Sequence, residues 1–125
     1  TPVYPMITWM DSRATEIVMP DQRRLYVSGT ASIDKAGDTV HVGDIDAQID
    51  LTMQVVRAIL QSRGMDWQHV TRSLAYVRNI DDADRYEAYA AENGLESLPT
   101  VLTHNVVCRD DLLFEIEVEA VISES

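Results

Sequence analysis

Residues 24–33 read Arg-Leu-Tyr-Val-Ser-Gly-Thr-Ala-Ser-Ile, and this stretch organises the predicted fold. Its first part, Leu25 to Val27, carries the aromatic and β-branched residues typical of a strand. Ser28 and Gly29 interrupt that strand, because glycine tolerates unusual backbone conformations and lets the chain approach a ligand closely. One interpretation is an ordinary strand end that turns. The other is a polar ligand site made by Ser28, Gly29, Thr30 and Ala31.

The composition indicates one globular domain. The chain has 125 residues, of which 46% are hydrophobic and 25% are charged, and this is enough for a single core. No stretch approaches the roughly 18 apolar residues of a membrane span, and the start of the chain leads us to expect no secretory leader. A single cysteine, Cys108, fits a reducing compartment, so we expect a cytoplasmic protein.

The formal net charge of −11 argues against a nucleic-acid partner, because phosphate binding requires clustered Lys and Arg. It still permits a small anionic ligand, because one arginine in a pocket outweighs surface charges that are screened beyond about 10 Å. The three histidines show no metal-ligand spacing. We therefore expect no metal and no cofactor.

Working outward from residues 24–33, residues 1–13 read as an extended arm, and residues 14–19 read as an edge strand that ends at Pro20. The edge strand and the central strand form a predicted hairpin. Residues 39–42 could add a short strand. Asp44 is a good N-cap for an amphipathic helix, which ends at Gly64.

In the second half, residues 70–79 alternate as a strand, a second helix starts at Asp81, and strands over 100–108 and 112–122 close the chain. We expect these last two strands to pair antiparallel across a short turn. The predicted fold class is α+β, one sheet with two helices on one face, in a single domain over 14–125. The other face needs a cover, and a second subunit is the simplest one.

The last strand carries the candidate general acids. Glu115, Glu117 and Glu119 recur at a period of two and therefore share one face. A carboxylate that is partly buried at a subunit interface can serve as a general acid or base, whereas an exposed charged face is the alternative. On the strand over 70–79, Tyr76 shares a face with Arg72 and Arg78, which either face a ligand or pair with acidic neighbours.

Cys108 stands seven residues before Glu115 and could line the same pocket, although a lone cysteine is more often buried filler.

The whole pattern resembles the Rid/YjgF superfamily, the reactive-intermediate deaminases and their relatives. The resemblance extends from about residue 14 to residue 122, and its motifs are Leu25-Tyr26-Val27-Ser28-Gly29, Gly43-Asp44 with Gln48, Gly64, Tyr76-Val77-Arg78-Asn79, Pro99 and Glu115-Ile116-Glu117. It implies a chorismate-mutase-like fold, the fold of proteins also labelled endoribonuclease L-PSP. It also implies a homotrimer with ligand clefts between subunits.

The segment after Pro99 departs from that family. Deaminating members have an arginine two residues after this proline to hold the substrate carboxylate, whereas this chain has Val101 there. Valine cannot make a bidentate contact with a carboxylate. The departure makes a typical imine deaminase activity doubtful.

Three segments resemble one branch of the superfamily, the chorismatases. They are residues 28–33, His41-Val42-Gly43-Asp44 with Gln48, and Cys108-Arg109 leading to Glu115-Ile116-Glu117. In that branch a glutamate protonates the enolpyruvyl group of chorismate and a cysteine lines the pocket, which implies those roles for Glu115 and Cys108. The branch has two such domains in one chain, and this sequence matches the second of them.

Three hypotheses for the function follow. The first is an enzyme that acts on a small carboxylated metabolite in an intersubunit cleft, with Glu115 or Glu117 as the general acid. Its substrate-binding residues are predicted to be Ser28, Gly29, Thr30, Ala31, Tyr76, Arg78, Val101 and Cys108, and Arg72, Arg78 or Arg109 would balance the substrate charge. The second is a non-catalytic ligand-binding trimer, and the third is an imine or enamine deaminase.

Overall fold

The computed structural model describes residues 14–34, 36–104 and 111–123. This part of the chain contains five strands and two α-helices. The strands are β1 (Ala14–Val18), β2 (Gln22–Ala31), β3 (Val70–Val77), β4 (Thr100–His104) and β5 (Phe114–Ser123), and the helices are α1 (Ile45–Ser62) and α2 (Ala83–Glu92). Two short 3₁₀ turns, Trp67–His69 and Ile80–Asp82, precede β3 and α2.

The five strands form one mixed sheet in the order β1-β2-β5-β3-β4. All neighbours are antiparallel except β3 and β4, which run parallel. The predicted single sheet with two helices is therefore confirmed, as is the hairpin of β1 and β2. No helix in the described ranges is long and apolar enough to span a bilayer.

The prediction that the last two strands pair with each other is wrong. In the described residues β4 pairs with β3, while β5 lies between β2 and β3. The physical reason is the helix between β3 and β4: a helical crossover returns the chain to the end where β3 began, so β4 continues the sheet in parallel. Strand β5 then fills the position between β2 and β3.

Helix α1 packs one apolar stripe on the sheet, because its buried residues recur at three- and four-residue steps. The Asp44 carboxylate accepts a hydrogen bond from the Ala47 amide at 3.0 Å, as expected for the predicted N-cap. Gly64 ends the helix with φ +74°, a conformation that favours glycine. Both helix boundaries follow from capping chemistry in the sequence.

The main core lies between the helices and one face of the sheet. On β5 the alternate residues Phe114, Ile116, Val118 and Ala120 are buried. The Phe114 ring stacks on Tyr86 of α2, with ring centroids 5.4 Å apart. Because side chains alternate along a strand, Glu115, Glu117 and Glu119 point to the opposite face, here called the open face, as predicted.

Two local predictions near β2 need correction. Strand β2 does not end at Ser28 but runs on to Ala31, and its register against β5 shifts between Val27 and Thr30. The Ser-Gly pair is thus a β-bulge inside a strand. Residues 39–42 form no strand but a single bridge from Thr39 to Ile33, because the chain turns where His41 (φ 59°) and Gly43 (φ 78°) adopt left-handed conformations.

Candidate functional site

The open face brings together most of the predicted site residues. Glu115 lies opposite Ala31 on β2 and opposite Tyr76 on β3. Glu117 lies opposite Leu74, which in turn lies opposite Val101 on β4. Four strands therefore contribute to one continuous surface, with β5 and its glutamates near the centre.

The Glu115 carboxylate lies directly against the backbone of Gly29. A Cβ atom built on Gly29 would lie 3.0 Å from both Cδ and Oε1 of Glu115 and 3.3 Å from Oε2. The bulge in β2 therefore places a bare α-carbon under this carboxylate. The sequence predicted both residues for the site, but it did not predict that they touch.

A small apolar cluster borders Glu115. Ala31, Ile33 and Leu112 are buried together, and the Tyr76 ring packs against them. This cluster lies on the open face, because Ala31 and Tyr76 are the cross-strand neighbours of Glu115. Glu115 itself is half-buried, whereas Glu117 is exposed. The two predicted general acids thus occupy different environments.

The Tyr76 hydroxyl donates a hydrogen bond to Oε1 of Glu117 at 3.2 Å. The pKa of Tyr76 is raised, first by desolvation and then by the negative charges of Glu117 and Glu115. Tyr76 is therefore a neutral donor at neutral pH. Because its hydroxyl donates this hydrogen bond, Tyr76 fixes the orientation of the Glu117 carboxylate.

A shallow depression of about 350 Å³ lies on the open face, and its lining includes Glu117 and Glu119 but not Glu115 or Tyr76. Its polar rim includes Thr15, Tyr26, Ser28, Arg72 and Glu117. This volume is in the range of small-molecule sites. Two other depressions, of about 250 Å³ and 270 Å³, lie on the helix side, one against α1 and α2 and the other between α2 and β4.

Two arginines lie near Glu119 on the open face. Arg72 is its cross-strand neighbour on β3, and Nη1 of Arg24 lies 3.9 Å from its Oε1. Nε of Arg24 is buried and has no hydrogen-bond acceptor within the described residues. A buried donor of this kind is costly unless an acceptor reaches it.

One of the predicted binding residues points away from the open face, and a second contacts the segment that enters β5. Thr30 is buried on the helix side, opposite Ile116, and its hydroxyl donates to the Ser28 carbonyl oxygen at 2.9 Å. Nε of Arg78 donates to the Leu112 carbonyl oxygen at 3.1 Å. Thr30 stabilises the bulge, and Arg78 holds the chain that enters β5. Cys108 and Arg109 lie outside the described residues.

Gln48 holds the other side of that entry segment, and the sequence analysis gave it no such role. Its side chain is fully buried; Oε1 accepts from the Leu113 amide at 2.9 Å, and Nε2 donates to the carbonyl oxygens of Asp111 (3.0 Å) and His41 (3.2 Å). A signal was present, because Gln48 is a polar residue on the apolar stripe of α1. Such a residue needs buried partners.

Within the part of the chain that the structure describes, no three His, Cys, Asp or Glu side chains converge to hold a metal ion. Val101 is 63% exposed on the open face and lies next to Leu74. The position where deaminating relatives are expected to carry an arginine is therefore accessible but apolar.

Comparisons with known proteins agree with this architecture. The family model for endoribonuclease L-PSP matches residues 14–122. A chorismatase from Streptomyces rapamycinicus is 28% identical over 93% of this chain and 36% of its own. The 3-aminoacrylate deaminase RutC from Acinetobacter baylyi is 31% identical over 74% of each protein.

A solved chorismatase structure superposes with a TM-score of 0.75 at 30% identity, over 86% of this chain and 35% of that chain. The present chain thus spans about a third of the length of the chorismatases that it matches. The family match covers every described strand and helix almost completely. The chain belongs to the endoribonuclease L-PSP family, the Rid/YjgF superfamily that its sequence resembles.

Proposed function

We propose that this chain binds a small carboxylated metabolite at the open face, in a cleft completed by neighbouring copies, and protonates it through Glu115. The observation that carries the proposal is the environment of Glu115, which is half-buried between Gly29, Ala31 and the Tyr76 ring. A carboxyl group held in a fixed place beside a ligand surface can deliver a proton to the reacting group.

Glu117 serves better as an orienting group than as the acid. It is exposed and accepts the Tyr76 hydroxyl proton in a hydrogen bond. We therefore assign the proton transfer to Glu115 and a positioning role to the Tyr76–Glu117 pair.

The proposed substrate class is an enol ether of the chorismate type. Glu115 donates its proton to the terminal methylene carbon, and an oxocarbenium ion forms at the neighbouring carbon. Water adds to that carbon, the hemiketal breaks its C–O bond, and pyruvate and an alcohol leave. Glu115 ends as a carboxylate and is protonated again from solvent. The similarity to chorismatases supports this substrate class, and Arg72 at the rim of the depression would balance substrate charge.

A homotrimer is the proposed assembly. The open face carries the glutamates, Arg24 and Arg72 with no covering helix in the described residues. The Nε donor of Arg24, which has no acceptor in the described part of the chain, would find one in a neighbouring copy. Light scattering should then give about three times the 14.1 kDa mass of one chain. With a single cysteine, a reducing cytoplasmic setting fits the proposal.

The test is pyruvate release from chorismate, which a coupled lactate dehydrogenase assay measures. We expect Glu115→Gln to lower turnover by about 100-fold or more, the usual contribution of a general acid. Glu117→Gln is the matched control and should lose about tenfold or less, because it removes the charge at residue 117 but keeps an oxygen that can accept the Tyr76 hydrogen bond. Release that survives Glu115→Gln would remove the proposed role of that residue. Absence of turnover together with ligand-dependent thermal stabilisation would instead identify a non-catalytic binding trimer.

The similarity to a 3-aminoacrylate deaminase favours a second candidate, an enamine or imine deaminase. Val101 weakens it, because no guanidinium stands at that position. Ammonia release from an enamine generated in the assay would support this candidate, and Val101→Arg should then raise the rate.

A further inference from the structure

Gly29 differs from the other glycines of this chain. The chain has five glycines, and Gly37, Gly43, Gly64 and Gly94 all have φ between 70° and 88°. Those four conformations favour glycine for backbone reasons. Gly29 is not among them, so its backbone conformation is accessible to an alanine. The reason for a glycine at position 29 must therefore be space.

The group nearest to the space at Gly29 is the Glu115 carboxylate. The three nearest atoms to a Cβ built there are Cδ, Oε1 and Oε2 of Glu115, at 3.0, 3.0 and 3.3 Å. Ordinary van der Waals contact begins at 3.4 Å. A methyl group at residue 29 would consequently press first on the Glu115 carboxylate, whose atoms are the nearest to it.

The bulge fixes Gly29 in this place. The register of β2 against β5 shifts between Val27 and Thr30, so Ser28 and Gly29 together face the single residue Glu117. The Thr30 hydroxyl, which is buried, donates to the Ser28 carbonyl oxygen and closes the bulge. The α-carbon of Gly29 is thereby held against the carboxylate instead of moving away with a flexible loop.

We propose that Gly29 is a positioning residue for Glu115. The space left by its missing side chain, here called the seat, admits the Glu115 carboxylate. This seat sets the distance from the acid to the substrate. The inference rests on the proposed function, because it assigns a purpose to the position of the proposed acid. It adds that the β2 bulge, and not only the glutamate, determines where the proton is delivered.

A double-mutant cycle tests the seat. Gly29→Ala should fold, because the backbone accepts alanine, yet turnover should fall by about tenfold, because the acid is displaced by a fraction of an ångström and a displacement of about 1 Å can cost about 100-fold. Glu115→Asp should also lose turnover, because its carboxylate is withdrawn by one methylene. The combination should be no slower than the slower single variant, because the shorter acid makes room for the methyl group. A double variant that loses the product of the two single effects would overturn the proposal.

A second measurement does not depend on turnover. Carbon-13 NMR follows the carboxyl groups of Glu115, Glu117 and Glu119 with pH, and Glu115→Gln assigns the Glu115 signal. We expect Gly29→Ala to move the titration midpoint of Glu115 by about half a pH unit or more, because the methyl group replaces solvent and backbone dipoles at the carboxylate. The two other glutamates on the same strand face serve as internal controls. An unmoved Glu115 midpoint contradicts the seat.

The unsubstituted protein provides a last check in case Gly29→Ala does not fold. The Gly29 amide signal should titrate with the same midpoint as the Glu115 carboxyl group, and this titration should disappear in Glu115→Gln. A Gly29 amide signal that does not change with the ionisation of Glu115 would refute the contact. If chorismate gives no pyruvate but both NMR results hold, the proposed reaction fails while the seat stands.

Discussion

Replacing Gln48 tests how the fold holds the acidic strand. The Gln48→Met variant keeps the length and volume of the side chain but removes three hydrogen bonds, to Leu113, Asp111 and His41. Each such bond contributes about 1 kcal/mol net, and the partners left behind are partly buried. We expect a loss of about 3 kcal/mol in the free energy of unfolding.

The assay is urea denaturation at one fixed protein concentration, because assembly makes apparent stability depend on concentration. Gln54→Met is the matched control. It lies on the same helix, is exposed, and makes one side-chain bond, to Asp50 at 2.7 Å. Its effect should stay within about 0.5 kcal/mol. If Gln48→Met costs less than about 1 kcal/mol, the three bonds do not hold the segment that enters β5.

Three further predictions concern single side chains. Asp66 has a lowered pKa, first because Arg57 hydrogen-bonds to it, so its contribution to folding stability is present above the unfolded pKa of Asp66 and is lost as pH falls. The difference in unfolding free energy between the parent protein and Asp66→Asn should therefore shrink between about pH 5 and pH 3. A difference that stays constant over this range would contradict the prediction. Tyr76 should titrate above the ordinary value of 10.0, because its pKa is raised; the absorbance difference between the parent protein and Tyr76→Phe measures it, and Glu117→Gln should lower the midpoint. Val101→Arg should leave the unfolding midpoint almost unchanged because residue 101 is 63% exposed; a clear loss of stability would show that the valine is needed for packing or assembly.

Much of this architecture is legible in local sequence patterns. The alternation of residues 114–120 gives both the strand and the face on which the glutamates lie, because side chains on a strand alternate strictly. Asp44 and Gly64 mark the ends of α1 through capping chemistry. These features depend on neighbours within a few residues, so the sequence predicts them directly.

Strand order and contacts across the sheet are harder to predict from the sequence than strand and helix boundaries. Strand β5 pairs with β2 and β3 and not with β4. This choice depends on which strand edges remain unpaired after both helices pack, and no local sequence pattern encodes that. The contact of Gly29 with Glu115 depends in turn on that pairing and on a shift in its register. The sequence therefore predicted the candidate residues but not their arrangement.

The position of β5 has a consequence for folding. It is the last described strand along the chain, yet it lies at the middle of the sheet. Until it is inserted, β2 and β3 present unpaired backbone edges, which are the features that promote aggregation. Long-range pairing of this kind slows folding. A nascent chain of this protein should consequently depend on protection by chaperones until β5 has been synthesised, and a circular permutant that begins at β5 should not.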